Sequence, residues 1–252
     1  MSVQNSPRLM AHLVAGFPNH ETSLAVADAL VAGGAKILEI QLAFSDPSAD
    51  GPAIQAACVQ ALENGFSTEK GLAFVAEVHK RHPNIPLFVM TYASLAYTPG
   101  IENFVRMNKE VGVSGLIIPD LPFDNDEGLT AACEKHGIVN IPVAAPSMTP
   151  ERLDKLVNAG FPYIYAALRA GITGQTTVID AETLSFIDAA AKSGAKILGG
   201  FGIRNGEQSH VLCSHVYAVV AGSVFVNIII DFAKTPEKIP AAIEAKAKEL
   251  SE

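Results

Sequence analysis

The sequence predicts an α/β chain folded as a single (β/α)8 TIM barrel with a C-terminal helix, one domain over residues 1–252. Eight short β-rich runs, at 11–15, 37–42, 87–91, 115–119, 139–144, 163–167, 197–200 and 216–220, alternate with longer helical patterns. Most of these runs are apolar almost throughout, as strands covered on both faces are. The first run leads into AGFPN rather than a glycine-rich fingerprint. That favours closure into a barrel over the runner-up, an open doubly wound sheet.

Helix signals fill the intervals. The pattern over 20–32 stops at Gly33-Gly34, and that over 52–64 begins on Pro52 and ends at Gly65. Thr149-Pro150-Glu151 reads as a cap followed by a proline in the first turn. Further helices are predicted over 68–81, 101–110, 126–136, 150–158, 182–193 and 205–212, after Ser223 and from about Pro236. No linker, low-complexity tract or domain break interrupts the series.

Composition narrows the function classes. Hydrophobic residues make up 49% and charged residues 17%, which suits a well-buried globular fold. The net charge of −8 and the lack of a basic stripe argue against nucleic-acid or anionic-membrane binding. Cys58, Cys133 and Cys213 show no ligand spacing, so no metal is expected, and they read as reduced thiols of a cytoplasmic protein. No apolar run reaches the ~18–20 residues of a membrane span.

Two carboxylates stand out. In the strand at 37–42, alternation places Ile37, Glu39 and Gln41 on one face and Leu38, Ile40 and Leu42 on the other. The second set is wholly apolar and suits the helix-facing side, so Glu39 points into the barrel. A carboxylate desolvated there, with no Lys or Arg contributed by the expected strands, suits acid/base work. Asp50 closes the loop FSDPSADG, and an ordinary turn or N-cap role explains it equally well.

A second signal comes from the last third. Gly174 in RAGITG, Gly202 in GGFGIRNG, and Gly222 with Ser223 in AGSVF all follow late barrel strands. Such turns let main-chain amides and a helix N-terminus close on an anion, so a phosphorylated ligand is expected. The segment RAGITGQTTVID, within 169–180, reads as a lid.

The segment LEIQLAFSDPSADGPAIQAA resembles the signature of the tryptophan synthase alpha subunit family. The similarity continues in order through VMTYASL, GVSGLIIPDLP, AAPSMTPERL, YIYAALRAGITG, LGGFGI and AGS. The resemblance implies a lyase of tryptophan biosynthesis that cleaves indole-3-glycerol phosphate to indole and glyceraldehyde 3-phosphate. It implies no cofactor in this chain, with pyridoxal phosphate only in a beta-subunit partner of an alpha2beta2 complex. Position by position it makes Glu39 the acid/base group, Asp50 the group facing the indole nitrogen and Tyr165 a neighbour of the reacting carbons. Tyr92 and Phe201 match pocket-lining aromatics. Gly174, Gly202, Gly222 and Ser223 match phosphate-binding positions, and Asp120 a position tied to communication with the partner.

The chain also departs from the family. Gln41 stands where the signature has glycine, and is expected either to hold Glu39 or to crowd the substrate. Ala43 and Ser48 replace the usual proline and apolar residue of the same loop. His12 occupies a strand-one position where an aromatic is common, and reads as a pocket-wall residue. A stand-alone indole-glycerol-phosphate lyase and a weak alpha-like subunit that mainly activates the beta subunit are the alternatives.

Overall fold

The computed structural model describes residues 8–168, 179–200 and 202–252. Its nine strands are β1 Leu9–Val14, β2 Ile37–Gln41, β3 Leu87–Met90, β4 Gly115–Ile117, β5 Val139–Asn140, β6 Val143–Ala144, β7 Tyr163–Ala167, β8 Lys196–Gly200 and β9 Ala218–Ala221. All pair in parallel, in the order β5-β4-β3-β2-β1-β9-β8-β7-β6. The two ends of that order are joined by Ile141 and Pro142 alone, so the sheet curls round on itself.

The fifth predicted strand is thus split. Pro142 has no N–H to give, and the ladder is handed from one neighbour to the other across it. The Ile141 amide donates to Leu116 O at 2.9 Å, while Pro142 O accepts from the Tyr165 amide at 2.9 Å. Both flanks stay bonded, and the eightfold plan survives.

The helices are α1 His20–Ala32, α2 Pro52–Glu63, α3 Thr68–Arg81, α4 Ala93–Tyr97, α5 Ile101–Glu110, α6 Leu129–His136, α7 Pro150–Asn158, α8 Ala181–Ala191, α9 Gly206–Leu212, α10 Ser223–Asp231 and α11 Ile239–Ser251. Side-chain caps explain several starts. Asn19, Ser67, Thr149, Asp180 and Asn205 each accept from a backbone amide three residues on. The sequence placed the start of α6 at 126, three residues early. The Asp126 carboxylate instead caps from outside, accepting from the Gly128 and Thr130 amides at 3.0 and 2.8 Å. The short α4 was not foreseen, and a 3-10 turn at Pro236–Lys238 precedes α11.

Two apolar layers result. Leu38, Ile40, Leu13, Val89 and Ile164 face the helices, whereas Met10, Ile37, Phe88, Met90, Ile117, Tyr165 and Val220 fill the barrel interior. The interior base is closed by Tyr163 and Tyr217, with the Arg8 guanidinium 4.0 Å from the Tyr217 ring centre and Lys196 Nζ 4.9 Å from it. Lys196 therefore corrects the expectation that no strand carries an interior cation: β8 begins one residue earlier than predicted. The lysine is exposed at the base and bonds the Tyr163 hydroxyl at 3.4 Å. No helix among the described residues is long and apolar enough to cross a membrane.

Candidate active site

The parallel register of β1 and β2 sets His12 opposite Glu39. Both side chains point inward as strand alternation requires, and they are 5% and 3% exposed. His12 Nδ1 lies 3.5 Å from Glu39 Oε2. That contact is the one ion pair Glu39 makes among the described residues. Burial by itself would lower the His12 pKa, but the facing Glu39 carboxylate, with Asp50 behind it, outweighs burial and raises it.

Asp50 resolves the choice left by its sequence context. Its amide closes a turn onto Pro47 O at 3.0 Å, and its carbonyl accepts from Gln55 Nε2 at 2.9 Å. Gly51, not Asp50, is the N-cap of α2, and it makes no side-chain cap bond. The Asp50 carboxylate instead turns into the barrel mouth. Its Oδ2 accepts from the Tyr92 hydroxyl at 2.7 Å and from Gln41 Nε2 at 2.7 Å. Burial pushes its pKa up, against the pull of His12 and of these two hydrogen bonds.

Gln41 therefore neither holds Glu39 nor stands in the substrate's way. It is fully buried, bonded to Asp50, and its amide also lies 3.5 Å from Cys58 Sγ on α2. Burial pushes that thiol up to about 12, so it stays neutral beside the carboxylate. Tyr92 stands behind Asp50 rather than on the cavity wall: it is 1% exposed, stacked on Phe44 at 5.2 Å, and accepts from the Ala49 amide at 3.2 Å. Asp120, just past β4, accepts from the Ala93 amide at 2.9 Å and so anchors the start of α4 to the same rim.

These groups surround one cavity of about 590 Å³, open mouth included. His12, Glu39, Asp50 and Tyr165 supply polar lining, and Gly202, Gly222 and Ser223 line it as well, with Gly222 against the His12 ring. Its apolar lining comes from Ile54, Met90, Ile117, Val143 and Val220. The alternation that exposed Glu39 also points to the last four, but the sequence gives no sign that Ile54 would reach the cavity from α2. Tyr165 fits because β8 carries Gly200 beside its hydroxyl, two residues beyond its register partner Leu198. A Cβ on Gly200 would stand 3.1 Å from the Tyr165 hydroxyl and 2.5 Å from Val220 Cβ. Burial, with Glu39 and Asp50 nearby, raises the Tyr165 pKa well above its ordinary value, so it remains a neutral phenol.

Gly222 is the N-cap of α10, with Ser223 its first residue, so the positive end of that helix opens on the cavity. Gly202 holds φ +85°, a conformation that favours glycine. Gly174, Phe201 and lid residues 169–178 lie outside the described residues. Among the described residues no group of three His, Cys, Asp or Glu could hold a metal ion.

A largely apolar cavity that holds two carboxylates and adjoins a helix N-terminus can bind an apolar ring bearing an anionic tail and transfer protons to it. Comparison with known proteins agrees. The family model described as tryptophan synthase alpha chain matches residues 1–252. A tryptophan synthase alpha chain of Helicobacter hepaticus is 38% identical over 246 residues, covering 95% of this chain and 92% of that relative. One from Methanosarcina barkeri is 36% identical over 243 residues, covering 96% and 89%. Among solved structures, tryptophan synthase from Mycobacterium tuberculosis superposes with a TM-score of 0.86 at 30% identity, covering 99% of this chain and 94% of that one. The tryptophan synthase complex from Pyrococcus furiosus also gives 0.86 at 30% identity, covering 98% of both chains. With the family model spanning its whole length, this chain belongs to the tryptophan synthase alpha chain family.

Proposed function

We propose that this chain, acting as one barrel domain in the cytoplasm, cleaves indole-3-glycerol phosphate to indole and glyceraldehyde 3-phosphate in tryptophan biosynthesis. It works with a beta subunit in an alpha2beta2 complex. The observation that carries this reading is that Glu39, Asp50, Gly222 and Ser223 line one largely apolar cavity.

The bond to be broken joins C3 of an indole ring to a hydroxyl-bearing carbon. It does not break until C3 is protonated, because only then can the ring accept the bonding pair. Glu39 gives that proton. Asp50, held through Oδ2 by Tyr92 and Gln41, accepts the indole N–H on its other oxygen and stabilises the cation that develops. The Glu39 carboxylate then takes the proton of the side-chain hydroxyl, the C–C pair flows into the ring, and the aldehyde leaves. Tyr165 packs beside the reacting carbons, and His12 walls the ring pocket. Gly202, Gly222 and Ser223 take the phosphate, and the family resemblance assigns Gly174 to the phosphate and Phe201 to the ring pocket. Proton transfers suffice, so this chain needs no cofactor of its own; pyridoxal phosphate serves the beta partner.

Indole release tests the reading. The purified chain is expected to liberate indole from indole-3-glycerol phosphate, faster with its beta subunit than without. Equal rates would make it a stand-alone lyase, and no release in either case overturns the proposal. The phosphate contacts have their own test. Ser223→Ala removes a hydroxyl facing a charged group, so KM should rise roughly tenfold with kcat little changed. Equal weakening toward an unphosphorylated indole analogue would count against the cradle.

A further inference from the structure

His12 is the one imidazole in the cavity lining, and the mechanism above leaves its chemistry unused. Its ring lies between Glu39 and Gly222. Nδ1 faces Glu39 Oε2 at 3.5 Å, while a Cβ added to Gly222 would stand 3.1 Å from the His12 Cβ, Cγ and Cδ2. The ring therefore has little room to rotate. Neither His12 Nε2 nor Glu39 Oε2 has a hydrogen-bond partner among the described residues, and both atoms are buried. A buried carboxylate whose facing cation is an imidazole differs from one salt-bridged to Lys or Arg, because the imidazole can take up or give back the same proton.

We propose that His12 is a positioning residue that acts through Glu39, fixing its carboxyl across the β1–β2 register and sharing with it the one proton used in the cleavage. This rests on Glu39 being the acid/base group. The balance closes within the pair. One proton leaves Glu39 for the indole C3. One returns from the substrate hydroxyl as its O–H pair becomes the carbonyl π bond and the C–C pair enters the ring. His12 and Glu39 together hold the same number of protons before and after. Loss of the His12 proton, which the two facing carboxylates hold, then sets the alkaline limit of activity.

Among the described residues, the groups facing His12 are few. β2 supplies Glu39, the loop before α2 supplies Asp50, and β7 supplies Tyr165 across the cavity, while β9 and the start of α10 present Val220, Gly222 and Ser223, none of them ionisable in this range. Glu39 and Asp50 both hold the imidazolium, so the His12 pKa lies above its ordinary 6.5.

The test uses the full chain with its beta subunit. His12→Phe keeps a ring against Gly222 but removes both nitrogens. It should cut kcat for indole release roughly 10–100-fold, the cost of leaving a buried polar group without its facing partner, with KM little changed. The alkaline limb of its pH profile should move down by about one unit or more. His12→Asn, which keeps a donor near Nδ1, should restore much of kcat but not the limb. A His12→Phe enzyme with the wild-type kcat and pH profile overturns the proposal. NMR titration of the His12 ring gives a readout independent of turnover: its pKa should fall in Glu39→Gln, and an unmoved value also overturns the proposal. If Glu39→Gln itself kept full activity, the failure would lie with the acid/base reading and not with His12 alone.

Discussion

Glu39→Gln should abolish nearly all indole release, with kcat lowered about 10²–10⁴-fold, the usual worth of a general acid/base. The substitution is nearly isosteric, and Glu39 is 3% exposed within the barrel interior, so packing changes little. Binding should survive, because the apolar wall and the α10 N-terminus are untouched. The loss then falls on kcat while KM stays close to its original value, the pattern of an interaction made only in the transition state. Steady-state kinetics of indole formation, with the dissociation constant of glycerol phosphate as control, separate the two. Wild-type turnover in this variant would end the assignment of Glu39 as the acid/base group.

Asp50→Asn should lower the rate severely as well, by about 10²-fold or more, the cost of losing one preorganised charge at a developing cation. The amide oxygen of asparagine can still accept from Tyr92 and Gln41, so the loop should keep its shape. Stability should move the other way. Burial raises the Asp50 pKa above 3.8, so the folded state binds this proton more tightly than the unfolded chain does. A group shifted in that direction stabilises below the unfolded pKa, and the contribution is lost as pH rises through the folded pKa. At neutral pH the ionised Asp50 therefore strains the fold, and the neutral variant should unfold at a higher temperature than the parent. Between acid and neutral pH the parent should lose stability relative to Asp50→Asn. Thermal unfolding of both proteins across that range checks the sign, and a variant that is both active and no more stable would return Asp50 to an ordinary turn residue.

His12, Glu39 and Gln41 show where sequence reading ended. Alternation on β2 was enough to turn Glu39 inward, because a strand has two faces and the other one is apolar throughout. The same rule placed Gln41 on that face but left open which neighbour its amide would meet. Its partner, Asp50, lies nine residues on, and the second donor to Asp50, Tyr92, comes from 42 residues away. His12 was read as pocket wall, yet its facing carboxylate comes from the register of β1 on β2, a pairing that no local pattern encodes.

The sequence by itself determined the barrel plan, the bounds of helices such as Thr68–Arg81 and Pro150–Asn158, the inward face of Glu39 and the glycine turns at the mouth. These follow from periodicity, caps and backbone freedom, which act over a few residues. Only the tertiary structure decided the handover of the ladder at Pro142, the choice of Asp50 over Glu39 as the partner of Gln41, and the pairing of His12 with Glu39. Each of these depends on side chains from separate strands and loops meeting in a water-poor interior. There a polar group takes whatever partner the closed ring brings within reach.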